Sequence, residues 1–459
     1  MSITAGLPDT SLAPSLDLPA SDLSRWRSVW LVVLLVALGL GVRVLAFSAT
    51  TSIRVPAGLD NAWSIGSQAV RLGKGDLCRG IVAAYDPANH VAIDYPPMRM
   101  YIKTLWVRFT LSGGQSPGKI GSAATRFDSI LWPLLVVNAA MELAAAAGMY
   151  ALCRRRYALR EALLVACLLW FNPSAILNSF CWPQWDVWLL GPLLWSTYFL
   201  LAPAATRRFW PAFLGGVGLA LAAALKGQAL FAALPLLALA AGRPLLCGPN
   251  LPGRFRRAGL AAASFLVGGA SAAFVITLPF TLRGSTHWLD IYTAQFRQPL
   301  PLTIDAWNLH YALQELLGAH AGTLLLGALE AGFVLWCGYA LWRALRRGDI
   351  ANAILLPGVV FAAMFALMPC MHERYALWAA VLCAPVVLYR SLPLTLAYSL
   401  INIVAVVCPL HWCLRQNPET LPALARWLGT LSPGLGLVWF LAAGVLSLGL
   451  LQTPPPQTA

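Results

Sequence analysis

Five short polar motifs interrupt the apolar stretches of this sequence, and their residue types suit proton transfer and anion binding. A carboxylate can take a proton from a hydroxyl group, and a guanidinium with an imidazole can hold a phosphate group. Amide and tyrosine side chains add the hydrogen-bonding groups that a sugar requires. In chain order the motifs are Asp60; Asp94-Tyr95-Pro96-Pro97; Gln184 with Asp186; Lys226 with Gln228; and His372-Glu373-Arg374-Tyr375.

Each motif also has a purely structural interpretation. Asp60 could be an exposed N-cap, because Asp is favoured before a helix, and paired prolines make a rigid corner that can simply lead into one. The tryptophans around Asp186 are typical of an aromatic belt at the lipid headgroups. Lys226 could snorkel to the interface, and Glu373 could form a surface pair with Arg374. The local sequence leaves both interpretations open.

Further candidates lie in the segment 281–320, where Arg283 could contact a phosphate and Asn308 a substrate. Arg43 could snorkel to the membrane interface, or it could line a cavity together with the motif residues. The His-Glu-Arg run lacks the second histidine of a zinc motif, and the ten cysteines contain no CxxC pair, so we expect no metal. Cys181 and Cys370 each come shortly before a motif, which permits a disulfide between them.

The composition predicts a membrane protein. Hydrophobic residues make up 59% of the 459 residues, charged residues only 11%, and the mean hydropathy is +0.69. A soluble chain of this length would need more charge to cover its surface. The net charge of +14 could suggest nucleic acid. However, arginine clusters in short gaps between apolar runs are the pattern of membrane topology, so we expect no nucleic-acid partner.

The apolar runs predict an all-α, polytopic transmembrane protein with about twelve spans, each of roughly the 20 residues that cross a bilayer. Residues 1–27 are expected to be a disordered cytoplasmic tail, 28–451 the transmembrane domain and 452–459 a short C-terminal tail. The long segments 48–127 and 281–320 are predicted to hold amphipathic interfacial helices, for example over Tyr101 to Leu111. The predicted spans are 28–47, 128–152, 159–172, 187–204, 211–225, 228–242, 258–280, 321–342, 351–369, 375–390, 393–410 and 432–451.

The gaps between these spans alternate in character. Arginine clusters such as 154–156 and 254–257 occur at every second gap, which places those gaps in the cytoplasm. The motifs occupy the opposite gaps. Acidic, amide and imidazole groups are therefore expected together on the outer face of the membrane.

In order and in shared face, the motifs resemble those of the GT-C superfamily of membrane glycosyltransferases. The match is to Asp60, Tyr95-Pro96-Pro97, Gln184 with Asp186, Lys226 with Gln228, and His372-Glu373-Arg374, over about residues 28–390. The Asp-Tyr-Pro-Pro run is similar to dolichyl-phosphate-glucose glucosyltransferases of N-glycan assembly. The His-Glu-Arg-Tyr form and the modest length are more similar to bacterial mannosyltransferases that use polyprenyl-phosphate mannose. One departure is Asn61, which stands where some members have a second acidic residue.

The resemblance implies an inverting transfer of a hexose, mannose or glucose, from a polyprenyl-phosphate carrier to a hydroxyl of a lipid-linked or glycan acceptor. It implies a multi-pass plasma-membrane enzyme whose active site is periplasmic or extracellular. No cofactor is needed, because the activated donor is itself the lipid. Asp60 would be the catalytic base. His372, Arg374, Lys226 and Arg283 would bind the donor phosphate, and Tyr95, Gln184, Asp186, Gln228 and Asn308 the substrate.

The competing function is a transporter or flippase of a lipid-linked sugar, with an oligosaccharide ligase or polymerase as a further alternative. A transporter would place charged groups near the membrane midplane. Most predicted spans have apolar centres, and Glu142 and Glu330 are the exceptions.

Overall fold

A computed structural model describes residues 22–53, 59–91, 93, 95–111, 124–202, 209–246, 253–293, 305–347, 350–369 and 371–450. These residues form α-helices joined by 3-10 turns, one π-helix and loops. The β-type pairing within them is one isolated bridge between Asp305 and His372. The predicted all-α class is therefore confirmed over the described part of the chain.

The helices fall into long apolar rods and short segments that lie between them in the chain. The first nine are α1 (Asp22–Ala49), α2 (Leu59–Gly73), α3 (Leu77–Tyr85), α4 (Pro97–Leu111), α5 (Ala124–Cys153), α6 (Leu159–Trp170), α7 (Pro173–Ile176), α8 (Leu190–Leu200) and α9 (Trp210–Leu225). The others are α10 (Ala233–Leu246), α11 (Arg254–Thr281), α12 (Asp290–Thr293), α13 (Leu309–Leu317), α14 (Ala319–Arg347), α15 (Ile350–Leu367), α16 (Ala376–Leu382), α17 (Leu392–Gln416) and α18 (Pro422–Gly449).

Among the described residues, eight helical segments are long and apolar enough to cross a bilayer. Two shorter apolar segments, Trp210–Leu225 and Gly227–Gly242, match two further predicted spans. The predicted spans 187–204 and 375–390 are helical over shorter stretches, in α8 and α16. The count of about twelve stays a prediction. The eight are Val29–Ala49, Ile130–Cys153, Leu159–Cys181, Arg254–Thr281, Leu325–Arg346, Ile350–Leu367, Leu392–Gln416 and Pro422–Gly449.

The chain divides into two compact units, residues 1–42 and 43–459. In the first unit, the described residues 22–42 belong to α1. The second unit contains the remaining helices and all the motifs. The most buried of the eight membrane-length segments is α15, 94% of which lies inside the protein.

Three helices of the second unit begin or end near motif residues. α4 begins at Pro97, directly after the Pro-Pro corner, because proline suits the first position of a helix. α9 ends before Lys226, which precedes a 3-10 turn over Gly227–Ala232. α15 ends shortly before His372. These interruptions bring the polar side chains to the ends of apolar rods.

Candidate active site

A cavity of about 360 Å³ collects several of the motif residues. We call it the cationic cavity. The corner before α4, the turn after α9, the segment around α12 and the turn before α16 each contribute to its wall. Its polar lining residues include Tyr95, Arg99, Lys226, Gln228, Tyr292, His372 and Arg374.

Asp186 organises the cations beside this cavity. Its side chain is fully buried, and Oδ1 accepts a hydrogen bond from Lys226 Nζ. Oδ2 lies 3.0 Å from Arg374 Nε, and Asn178 Nδ2 donates to the same oxygen at 3.4 Å. The backbone carbonyl of Asp186 accepts from the Trp378 indole at 2.7 Å. One carboxylate is thus shared by two cations, a group that we call the Asp186 centre.

The neighbouring cations keep the Asp186 carboxylate ionised. Burial opposes ionisation of Asp186, but Lys226, Arg374 and Arg99 together hold its pKa below the ordinary value. Burial lowers the pKa of Lys226 from 10.5 to about 7, an effect that Asp186 opposes and the two arginines reinforce. A buried ammonium near neutrality can gain or lose its proton at physiological pH.

His372, Glu373 and Arg374 form a second, overlapping set of contacts. Arg374 Nη1 donates to Glu373 Oε1 at 2.8 Å, and His372 Nδ1 lies 3.7 Å from Glu373 Oε2. Burial opposes ionisation of Glu373, but Arg374 and His372 together outweigh this effect and lower its pKa. Burial and Arg374 lower the pKa of His372 below 6.5, so the imidazole is neutral at pH 7. The Glu373–Arg374 pair exists, but it is buried rather than on the surface.

Two cations that the motif analysis did not single out lie beside Tyr95. The Arg99 guanidinium is 4.0 Å and the Lys103 ammonium 2.7 Å from the centre of its ring. Both are also within 4.3 Å of the Trp185 ring centre. Arg99 and Lys103 follow the Pro-Pro corner and are four residues apart, which puts both on one face of α4. This spacing was the sequence signal that could have identified them.

Tyr95 and Gln228 line the cationic cavity, and Asp305 lies beside the site through its bridge with His372. Asp60 is the second residue of α2, and its side chain lies outside the described part of the structure. Asp94 and Cys370 lie outside the described residues, and with Cys370 the predicted disulfide.

Besides Asp186, three predicted site residues in the described part of the chain are not among those that line the cationic cavity. Arg283 forms an ion pair with Asp76 at 3.0 Å, where both side chains are 40% or more exposed. Asn308 caps α13 through Tyr311 N, and its Nδ2 donates to Met368 O at 3.2 Å. Gln184 is buried in the loop before Asp186.

The aromatic-belt interpretation of the Gln184 motif is wrong. Trp182, Trp185 and Trp188 are 2%, 3% and 1% exposed, so they pack inside the protein. Trp185 meets Tyr95 edge to face at 5.9 Å. The snorkelling interpretation of Lys226 is also wrong, because its side chain is buried and paired with Asp186.

An apolar groove of about 600 Å³ adjoins the cationic cavity. Side chains of α9, α10 and α11 form its walls. Leu230 and Tyr292 line both spaces, so the two are adjacent. We call the second space the apolar groove. The pair of spaces can receive a molecule with an anionic head and a long apolar chain.

No known protein family and no curated protein matches the sequence. Several solved structures are similar to the chain, including the following two. ArnT from Cupriavidus metallidurans, bound to undecaprenyl phosphate, has 17% identity and a TM-score of 0.45, with 91% of this chain and 77% of that chain covered. An Archaeoglobus fulgidus oligosaccharyltransferase, tethered to an acceptor peptide that contains the NVT sequon, has 13% identity and a TM-score of 0.36. The alignment with it covers 92% of this chain but only 56% of the oligosaccharyltransferase.

Proposed function

We propose that this chain is a membrane glycosyltransferase of the GT-C type. It transfers a hexose, mannose or glucose, from a polyprenyl-phosphate carrier to a hydroxyl of a lipid-linked or glycan acceptor on the non-cytoplasmic face. The observation that carries the proposal is that the cationic cavity lies next to the apolar groove, with Leu230 and Tyr292 lining both. A polyprenyl phosphate has the matching parts, an anionic head and an apolar chain.

The cations of the cavity are proposed to stabilise the leaving phosphate. As the bond between the anomeric carbon and the phosphate oxygen breaks, negative charge gathers on the phosphate. Lys226 and Arg374 are held beside the cavity by Asp186, so they need little reorganisation when this charge develops. Such preorganised stabilisation is usually the largest catalytic contribution. His372, being neutral at pH 7, acts as a hydrogen-bonding group rather than as a cation.

The acceptor hydroxyl needs a base, and we assign this role to Asp60. Its carboxylate takes the hydroxyl proton while the acceptor oxygen attacks the anomeric carbon from the side opposite the phosphate. The sugar is transferred with inversion, and the carrier leaves as polyprenyl phosphate. Asp186 does not suit the role, because Lys226 and Arg374 share its carboxylate and its pKa is lowered. No cofactor takes part in this sequence of steps.

Substrate recognition is assigned to residues whose side chains reach the cavity. Tyr95 and Gln228 can hydrogen-bond to the sugar there. Arg283 and Asn308 are left out of the proposal, since their polar groups are engaged with Asp76 and with Tyr311 and Met368.

The transporter alternative has less support. It called for charged groups near the midplane, and Glu142 was the main candidate. Glu142 is instead closed off in a buried pair with Arg43. Glu330 is exposed on α14 rather than directed into the protein.

The test is donor consumption by the purified protein. The chain, reconstituted in lipid nanodiscs, would be incubated with undecaprenyl-phosphate mannose or undecaprenyl-phosphate glucose and a membrane lipid extract as acceptor. We expect free undecaprenyl phosphate to form from one donor, together with a glycosylated lipid product. The matched control is Asp60→Asn, in which both products should nearly disappear. If neither donor is consumed in the presence of acceptor extract, the proposal is overturned.

A further inference from the structure

Asn138 lies in the interior of α5, fully buried, and uses its whole amide on one irregular segment. Its Nδ2 donates to Ser179 O and to Gln184 O, each at 2.9 Å. Its Oδ1 accepts from the Trp188 indole at 2.7 Å. One side chain thus contacts a segment of ten residues at three points, counted from 179 to 188.

This segment is irregular along its length. A π-helix over Leu177–Cys181 is followed by a turn and then by a 3-10 helix over Asp186–Leu189. Irregular backbone leaves carbonyl groups without partners in a helical ladder, and in a membrane protein water cannot satisfy them cheaply. The Asn138 amide satisfies two such carbonyls.

The contacts of Asn138 also bracket Asp186. Gln184 lies on one side of Asp186 in the chain and Trp188 on the other. Asn178, next to Ser179, donates to Asp186 Oδ2 at 3.4 Å and accepts a hydrogen bond from Gln184 N at 2.7 Å. The Asn138 amide thus fixes to α5 the segment that carries Asp186, with contacts on both sides of Asp186 in the chain.

We propose that Asn138 is a positioning residue for the donor phosphate site, and this inference rests on the proposed function. By holding the segment 179–188 against α5, it places the Asp186 carboxylate between Lys226 and Arg374. These two cations are then fixed at the wall of the cavity that receives the phosphate. Asn138 itself does not touch the substrate.

A merely structural role and a positioning role differ in their coupling to Asp186. If Asn138 acts through Asp186, its truncation should matter only while the Asp186 carboxylate is present. A residue that supports the fold in general should weaken the site equally in either background. A double-mutant cycle separates the two cases, because non-additivity measures the interaction between the residues.

The measured quantity is the affinity of the purified, reconstituted protein for undecaprenyl phosphate. We expect Asn138→Ala to weaken binding by about tenfold in the wild-type background, and by at most about twofold in the Asp186→Asn background. The control is Asn352→Ala, which removes another buried amide. Asn352 lies at the end of α15 that is farther from His372, and its Oδ1 accepts a hydrogen bond from the Tyr389 hydroxyl at 3.0 Å. That variant should change binding by the same small factor in both backgrounds.

The positioning inference is overturned if Asn138→Ala, with an unfolding midpoint near that of Asn352→Ala, binds the lipid as wild type does. It is also overturned if the loss is equal in both backgrounds. Should Asn138→Ala fail to fold, Trp188→Phe serves as the second variant, since it removes the indole donor and keeps an aromatic ring. It should show the same dependence on Asp186 with a smaller loss. Failure of the wild-type protein to bind undecaprenyl phosphate overturns the proposed function instead, and with it this inference.

Discussion

Two of the groups of buried charges in the described part of the chain are built differently. In the Arg43 pair, Arg43 and Glu142 are 0% and 1% exposed, and Arg43 Nε donates to Glu142 Oε2 at 2.8 Å. The same guanidinium donates to Trp170 O at 2.6 Å and lies 3.6 Å from the centre of the Trp170 ring. In the Asp186 centre, one carboxylate is shared by Lys226 and Arg374.

The two sites differ in charge ratio and in access. One cation meets one carboxylate in the Arg43 pair, and neither residue lines the cationic cavity. Two cations share one carboxylate in the Asp186 centre, and both line a cavity of about 360 Å³. The Arg43 pair is balanced and does not line that cavity, so it acts on the fold. Arg374 is also paired with Glu373, but Arg99 lines the same cavity, so the cations there outnumber the two carboxylates and can still bind an anion.

The largest expected effect concerns the catalytic base, which neither of these two sites provides. Both Glu142 and Asp186 are paired with cations, so neither can act as the base, and we assign that role to Asp60. Asp60→Asn should reduce turnover by about 10²–10⁴-fold, the usual contribution of a positioned base. Affinity for undecaprenyl phosphate should be unchanged, because the amide keeps the shape of the side chain. Turnover and lipid affinity would be measured on the same reconstituted sample.

The matched control for Asp60→Asn is Asn61→Asp, which restores a second acid beside Asp60 without removing the base. It should retain turnover. Near-normal turnover of Asp60→Asn would leave Asp60 as a helix-terminal residue and move the search for the base to Asp94.

The second prediction sets the Arg43 pair apart as a stabilising element. Arg43→Met should lower the free energy of unfolding by about 3–5 kcal/mol, because it leaves the buried Glu142 carboxylate without its cation. The activity of the folded fraction should match wild type. Denaturant-induced unfolding in detergent measures the first quantity, and donor consumption normalised to folded protein measures the second.

Replacing both partners refines this prediction. Arg43→Met with Glu142→Leu should recover most of the lost stability, since a buried ion pair replaced by apolar side chains is often neutral. If the double variant is as unstable as Arg43→Met, the contacts of Arg43 with Trp170, rather than the ion pair, hold the helices. A fall in activity per folded molecule would contradict the division between the two sites.

The sequence predicted the helical class and the members of the Asp186 centre, because polar residues at the ends of apolar runs stand out. Asp186, Lys226 and Arg374 each interrupt a stretch that is otherwise hydrophobic. Arg99 and Lys103 were missed because the sequence around them was interpreted as an amphipathic helix at the membrane interface. A cation on such a helix can face water or protein, and only the rotation fixed by packing decides which.

Pairings between distant residues could not be predicted. Arg43 and Glu142 are separated by 99 positions, and no periodicity in the sequence relates them. Arg283 was predicted to contact the donor phosphate, but it is paired with Asp76, which lies more than 200 positions away in the chain. The tryptophans around Asp186 are typical of a lipid boundary, yet tertiary packing places them inside. In each case the deciding contact comes from a segment far away in the chain.

The third and smallest effect tests whether the Asp186 centre carries titratable charge. Burial lowers the pKa of Lys226 to about 7, so its ammonium is charged below that pH and neutral above it. Affinity for a phosphodiester donor should therefore be highest below pH 7 and fall as the pH rises through 7. We expect a loss of about tenfold, since a hydrogen bond to a charged group contributes about 1.5–3 kcal/mol and Arg374 remains charged throughout.

A phosphodiester such as undecaprenyl-phosphate mannose is the right ligand for this measurement, because it has no second ionisation in the range tested. Burial and Arg374 lower the pKa of His372, so its imidazole is already mostly neutral at pH 7 and cannot account for a fall in affinity above that pH. Lys226→Arg is the matched control, because arginine keeps its charge at every pH used. Its affinity should be flat where the wild-type affinity falls. An equal fall in both proteins would mean that another group titrates, and that the Lys226 ammonium is not the pH-sensitive ligand of the phosphate.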